Sequence, residues 1–190
     1  MARTTRRRFL QASTAASASF AIGGTKSSGQ VLGANDRVRI AVIGLNGRGS
    51  SHLNGFGGLK NVEIAYVVDP DEKVLNGRLT QVQGKANGKN CKGHKDLRTA
   101  LDDKNVDAIT VAAPNHWHSL MTIWGAQAGK HVYVEKPMSH DIAEGRVAVE
   151  AQKKYGVVVQ HGTQRRSNSG IAALHESLKS GALPRLKIAY

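Results

Sequence analysis

From Val38 onward, apolar runs of strand length alternate with longer segments whose apolar positions recur every three or four residues. That alternation predicts parallel strands joined by crossover helices. Strands are expected at Val38–Ile43, Val62–Val68, Ala108–Ala113, His131–Glu135 and Val157–Gly162. The runs are nearly continuous, as strands covered on both faces require. Helices are expected over Arg48–Phe56, Asp71–Val82, Asp96–Leu101, Ser119–Ala128 and Ile142–Tyr155. A shorter one, Ser169–Ser180, rests on Ile171, Leu174 and Leu178 and is ended by Gly181 and Pro184. Asp141 and Glu144 spell an N-terminal capping box, and Gly129 and Gly156 stand where helices stop. The fold class is therefore α/β, a doubly wound parallel sheet. Leu186–Tyr190 begins what looks like another strand, which needs neighbours to pair with. Either it adds to the sheet already built, or the rest of a second domain is absent.

The chain has 190 residues, 40% of them apolar, enough for one cored domain and at most the start of a second. Its formal net charge is +13, but residues 1–34 hold five basic residues and no acid, which leaves +8 for the remainder. Lys60, Lys85, Lys89, Lys92, Lys95, Lys104, Lys153 and Lys154 form no block and are not interleaved with aromatics. A solvated face fits that dispersion better than a nucleic-acid surface. Aromatics are 5% of residues, too few for a protein that stacks carbohydrate rings. Cys91 is the sole cysteine, so no internal disulfide forms. Its neighbours Gly84, Gly88, Lys89, Asn90 and Gly93 suggest an exposed loop thiol rather than a nucleophile.

Residues 1–34 have the pattern of a targeting leader and linker: a basic start, a weakly apolar stretch from Phe9 to Ile22, and a small-residue site at Ala16-Ser17-Ala18. Thr5-Arg6-Arg7-Arg8-Phe9-Leu10-Gln11 resembles a twin-arginine export signal, with Gln11 where Lys is usual. The competing reading is a disordered basic tail. The stretch is too short and polar for a stable membrane anchor. The expected location is the periplasm, reached after folding, as loading a cofactor in the cytosol would require.

Gly44-Leu45-Asn46-Gly47-Arg48-Gly49 follows the first strand, and Asp69 ends the second, 25 residues after Gly44. Glycines there let a phosphate-bearing ligand approach the backbone at a helix N-terminus, and the acid can accept from ribose hydroxyls. Asn46 replaces the second glycine; asparagine tolerates positive φ best among the rest, and Gly47 follows at once. Asp69 would repel a 2′-phosphate, which favours NAD over NADP. Tight turns use glycine without any ligand, and Asp69 could merely cap the turn before Pro70.

Two further polar groups follow later strands. Pro114, Asn115, His116, Trp117 and His118 lie after Ala108–Ala113, where open sheets place ligands. The plainer reading is a turn and a helix cap. A metal is disfavoured, since His116 and His118 have no acidic or cysteine partner nearby. Glu135-Lys136-Pro137 follows the fourth expected strand; a lysine there supplies a cation beside a reacting hydroxyl, although surface Glu-Lys pairs are common.

Taken with Gly162-Thr163-Gln164-Arg165-Arg166, these motifs resemble the glucose-fructose oxidoreductase, inositol dehydrogenase and rhizopine-catabolism oxidoreductase family (Gfo/Idh/MocA) from about Arg37 to Tyr190. The resemblance implies an N-terminal Rossmann domain holding NAD or NADP, here residues 35–165. A larger domain built on an open antiparallel sheet would follow, with residues 166–190 as its connecting helix and first strand and the rest absent. It implies that Gly44, Asn46, Gly47, Arg48 and Gly49 hold the pyrophosphate and Asp69 the adenosine ribose. Pro114, Asn115 and His118 would lie on the nicotinamide side, with Glu135 and Lys136 at the junction with substrate. Gln164 and Arg165 would face the nicotinamide or a substrate hydroxyl, and Lys136–Pro137 is often cis in such proteins. The family's Asp and His acid-base pair belongs to the second domain and has no match before Tyr190, so Lys136 is the one catalytic position carried over. The function implied is hydride transfer at a sugar or cyclitol carbon bearing a hydroxyl, with homo-oligomers forming through the second domain's sheet. The alternative is a non-catalytic nucleotide-binding remnant.

Overall fold

Six strands form one parallel sheet in the order β3-β2-β1-β4-β5-β6 in the computed structural model, which describes residues 37–181. They are β1 (Val38–Ile43), β2 (Val62–Val68), β3 (Lys92–His94), β4 (Ala108–Val111), β5 (His131–Glu135) and β6 (Val159–Gly162). The expected leader, and the strand expected over residues 186–190, lie outside the described residues. Strand order reverses between β1 and β4, whose register sets Val42 beside Thr110. A sheet wound outward in both directions from that point opens a crevice at its carboxyl edge.

The sheet is covered on both faces, which explains the unbroken apolar runs. Ile43, Val68, Ile109, Val111, Val132 and Val134 pack on one side with Leu97 and Leu101. Ile40, Val42, Ile64 and Val67 pack on the other with Leu53, Leu75 and Val82. Each such side chain contributes roughly 1.5–3 kcal/mol by leaving water.

The helices are α1 (Arg48–Gly57), α2 (Glu72–Gln83), α3 (Arg98–Asp102), α4 (His118–Gln127), α5 (Ile142–Tyr155) and α6 (Ser169–Lys179). Asp71 caps α2 by accepting from the amides of Lys73 and Val74. Asp96 Oδ1 accepts from Arg98 N at 2.9 Å, which moves the start of α3 two residues past its expected place. Asp141 Oδ1 accepts from Glu144 N at 2.9 Å, but the returning arm of the capping box takes His140 N, at 3.3 Å, instead of Asp141 N. Gly156 closes α5 at φ 65°. No helix among the described residues is long and apolar enough to cross a membrane.

Four further points differ from expectation. Strand β4 stops at Val111 because the chain turns toward Pro114, which has no amide to donate. Strand β6 begins at Val159, since Val158 N donates to His131 Nδ1 at 3.0 Å. Strand β3 is an addition: three edge residues, Lys92-Gly93-His94, pair with Tyr66, Val67 and Val68; Lys92 and His94 also lie against the Tyr66 ring, but none of the three is an apolar residue, so the strand leaves no apolar signature. Cys91, just before it, is 3% exposed in the core and not a loop thiol. Burial, reinforced by the Glu63 charge, pushes the thiol up to about 12, which keeps it inert.

Candidate functional site

The turn between β1 and α1 is tied to both neighbouring strands. Gly44 N donates to Val68 O at 2.9 Å, and Ala112 N donates to Ile43 O at 2.8 Å. A Cβ on Gly44 would come 2.7 Å from the Ala112 carbonyl, and one on Gly49 would overlap Gly44 O at 1.7 Å. Only glycine permits so close a winding, the cradle a diphosphate needs. Positive φ falls on Gly44 and Gly47, not on Asn46, whose Oδ1 instead accepts from Gly47 N at 3.0 Å. The first turn of α1 holds no acid, and no side chain caps its N-terminus, unlike α2, α5 and α6. Gly47 N, Gly49 N and Ser50 N are taken by Asn46 Oδ1, Asn46 O and Gly47 O, so what α1 offers an anion is chiefly the positive end of its dipole with no acid against it.

A cavity of about 930 Å³ opens beside this turn. Its polar rim includes Gly44, Asn46, Gly47 and Asp69; its apolar wall is made by Leu97, Pro114, Trp117, Met121 and Trp124. Asp69 is 8% exposed. Its Oδ2 accepts from Leu45 N at 2.8 Å and its Oδ1 from Asp71 N at 3.0 Å. A carboxylate offers about four acceptor positions, so two remain on a residue that lines the cavity. The same residue thus braces the glycine turn, caps the turn at Pro70 and presents acceptors to a ligand. Lys95 and Arg98 also line this space, each already paired, with Glu72 and Asp96 respectively. The dimensions, apolar walls and donor turn fit a dinucleotide.

Glu135 occupies a different environment at the end of β5. It is 3% exposed and does not line the cavity. Its Oε1 accepts from Arg48 Nε at 2.9 Å and from His52 Nε2 at 3.1 Å; its Oε2 accepts from Gln164 Nε2 and, at 3.4 Å, from Lys136 N. Burial alone would raise this carboxyl, but donation from His52, Arg48 and Gln164 outweighs it and holds the group at about 2. Gln164 is the one described non-glycine residue with positive φ, 30°, and its side chain is held by Glu135. All four acceptor positions of Glu135 are taken, so it joins α1, β5 and the segment after β6 without a position left for a ligand.

The remaining candidates divide between exposed and buried places. Lys136, Asn115 and Arg165 are exposed near the carboxyl ends of their strands. Lys136–Pro137 is cis. His118 is 1% exposed, with Nδ1 2.5 Å from Pro137 O and Nε2 2.7 Å from Ala113 O, so it links the loop after β4 to the loop after β5. Sequence reasoning missed His52, although its place one helical turn after Arg48 puts the two on one face. It also missed Lys95, Leu97 and Arg98 as cavity-lining residues; they follow the short edge strand, which left no trace in the apolar pattern.

Residues 38–163 match the family model described as oxidoreductase family, NAD-binding Rossmann fold. The chain is similar to the myo-inositol 2-dehydrogenase of Thermotoga maritima, at 32% identity over 146 residues, covering 77% of this chain and 42% of that protein. It is likewise similar to the scyllo-inositol 2-dehydrogenase (NAD(+)) of Bacillus subtilis, at 31% identity and the same coverage of 77% and 42%. Among solved structures, the WlbA dehydrogenase of Bordetella pertussis, in complex with NADH and UDP-GlcNAcA, superposes with a TM-score of 0.68 at 25% identity, over 78% of this chain and 41% of that one. The chain thus spans about 42% of the length of the curated relatives it matches.

Proposed function

The chain belongs to the Gfo/Idh/MocA oxidoreductase family and carries its NAD-binding Rossmann domain, and on that footing we propose that it serves hydride transfer at a hydroxyl-bearing carbon of a sugar or cyclitol. The observation that carries the reading is the joint between Asp69 Oδ2 and Leu45 N, 2.8 Å long, at the rim of a cavity of about 930 Å³. It couples the acid for the ribose to the turn for the diphosphate. Gly44, Asn46, Gly47 and Gly49 shape the diphosphate cradle, with Arg48 at its edge; Asp69 takes the adenosine ribose. Pro114 borders the other end, with Asn115 next along the loop, behind which His118 fastens the loops.

When bound, NAD supplies the carbon that accepts or returns the hydride. As the hydride moves, the substrate's hydroxyl proton would pass to a base, the place that the family's second domain fills, and Lys136, exposed past the end of β5, would assist electrostatically at the substrate oxygen. The inositol dehydrogenases among the relatives support a polyol as substrate class. NADH titrated into the purified chain is expected to quench Trp117 and Trp124 saturably, since both line the cavity. A flat titration overturns the reading. The Arg6-Arg7 pattern supports export by the twin-arginine route. Fractionation of cells lacking that translocase is then expected to lose the periplasmic pool.

A further inference from the structure

His52 lies one turn after Arg48 on the face of α1 that meets β5, and it is 4% exposed. Its ring stands edge-on to Phe56 and Tyr133, with centroids 5.9 and 5.3 Å away. Burial lowers its pKa from the ordinary histidine value even against the raising effect of Glu135, so the ring is neutral near pH 7. A neutral imidazole set 3.1 Å from a carboxylate oxygen must carry its hydrogen on Nε2. Nδ1 is then a bare acceptor, buried and without a partner among the described residues. That orphan is destabilising, a burden a phenylalanine of similar shape would avoid. The offsetting contribution of the histidine is the bond from Nε2.

What that bond controls follows from Arg48. Glu135 Oε1 receives both His52 Nε2 and Arg48 Nε, and the terminal nitrogens of Arg48 have no partner among the described residues. The Arg48 side chain is 46% exposed at the lip of the glycine turn. Without the His52 donor, Oε1 has a position free for a second nitrogen of the guanidinium, while Oε2 stays with Gln164 and Lys136. That would draw the fork inward, away from the turn.

Resting on the reading of this chain as an NAD-binding domain, we propose that His52 is a positioning residue: its Nε2–H···Oε1 bond to Glu135 holds Arg48 by Nε alone and leaves the guanidinium fork for the cofactor diphosphate. His52 touches no ligand itself. It acts through one carboxylate on one cation.

His52→Phe keeps the edge-on ring packing and removes both the donor and the orphan; His52→Gln returns an amide donor near the Nε2 position. Binding of NADH and of adenosine, which lacks the diphosphate, is followed by tryptophan fluorescence, alongside thermal midpoints. His52→Phe is expected to weaken NADH about tenfold, leave adenosine unchanged and leave the midpoint equal or higher. His52→Gln is expected to recover most of the NADH affinity. A structural role would instead lower the midpoint and weaken both ligands together, and that outcome overturns the proposal. Equal NADH binding by wild type and His52→Phe overturns it alone; a wild type that binds no NADH overturns the NAD reading and the proposal with it. Nitrogen NMR of the wild-type imidazole needs no variant to fold: a hydrogen on Nε2 supports the assignment, and one on Nδ1 at neutral pH overturns it.

Discussion

Asp69 and Glu135 each close a parallel strand, each is more than nine-tenths buried, and each was marked by the same sequence signal, an acid ending an apolar run. Their surroundings differ in one countable respect. Asp69 accepts two backbone amides and borders the cavity. Glu135 accepts from two cationic or ring donors, a side-chain amide and a backbone amide, and does not border the cavity. Position at the carboxyl edge of a sheet therefore does not make an acid a ligand contact. Spare acceptor capacity leaves room for one, and by that measure Asp69 has positions open to a ligand while Glu135 serves the frame that holds Arg48, Lys136 and Gln164.

The largest expected effect tests the frame. Glu135→Ala strips the shared acceptor from His52 and Gln164 and the counter-charge from Arg48. Arg48 can rehydrate because its side chain is 46% exposed, so the loss should be about 3 kcal/mol, at the lower end for a broken buried pair. Urea midpoints would show it. Asp69→Ala orphans Leu45 N at a site where Asp69 itself is buried, at a cost of about 1 kcal/mol, and it should weaken NADH by more than about tenfold. If Asp69→Ala destabilises as much as Glu135→Ala, the division of labour between the two acids fails.

Acid pH provides the next test, and its sign follows from the carboxyl being held down. The Glu135 pKa falls from 4.5 to about 2 in the folded chain, so its contribution is fully present above pH 4.5 and is lost as pH drops toward 2. Wild-type stability should fall by roughly 2–3 kcal/mol across that window beyond the loss from other carboxyls. Glu135→Gln, which cannot ionise, should flatten that part of the curve. An unchanged slope would mean that the four donors do not hold a charged group.

What could be seen in the sequence follows from the same distinction. The strands carrying the core, the Gly44–Gly49 turn and Asp69 were legible because covered strands and tight phosphate turns each restrict residue type at fixed spacing. Strand β3 was not, because its three edge residues, none of them apolar, impose no apolar pattern. Cys91 was misplaced for that reason, its glycine-rich neighbours suggesting a loop where an edge strand covers the core. The Glu135 node was only half visible. Glu135, Arg48 and Gln164 stood out singly, but they lie 87 and 29 residues from one another along the chain, and only folding shows that they converge. His52 shows the point most directly: a histidine inside a helix gives no sign of what waits beneath it.

The smallest effect bears on Asp69 alone. Its charge sits where the ribose hydroxyls would bind, and a 2′-phosphate there would meet a carboxylate across a few ångströms. Lys95 and Arg98 line the same cavity but are paired with Glu72 and Asp96, so they offer a phosphate little uncompensated charge. Wild type should bind NADH more tightly than NADPH. Asp69→Asn keeps one oxygen for Leu45 N or Asp71 N while removing the charge, and should narrow that gap by about tenfold, or about 1.4 kcal/mol. Because the repulsion is partly exposed to solvent, the wild-type gap should also shrink as salt is raised, while that of Asp69→Asn should hardly respond. Parallel titrations of both cofactors at low and high salt would settle it. If Asp69→Asn leaves the ratio where it was, Asp69 is a brace in the same sense as Glu135, and the two free acceptor positions do not select the cofactor.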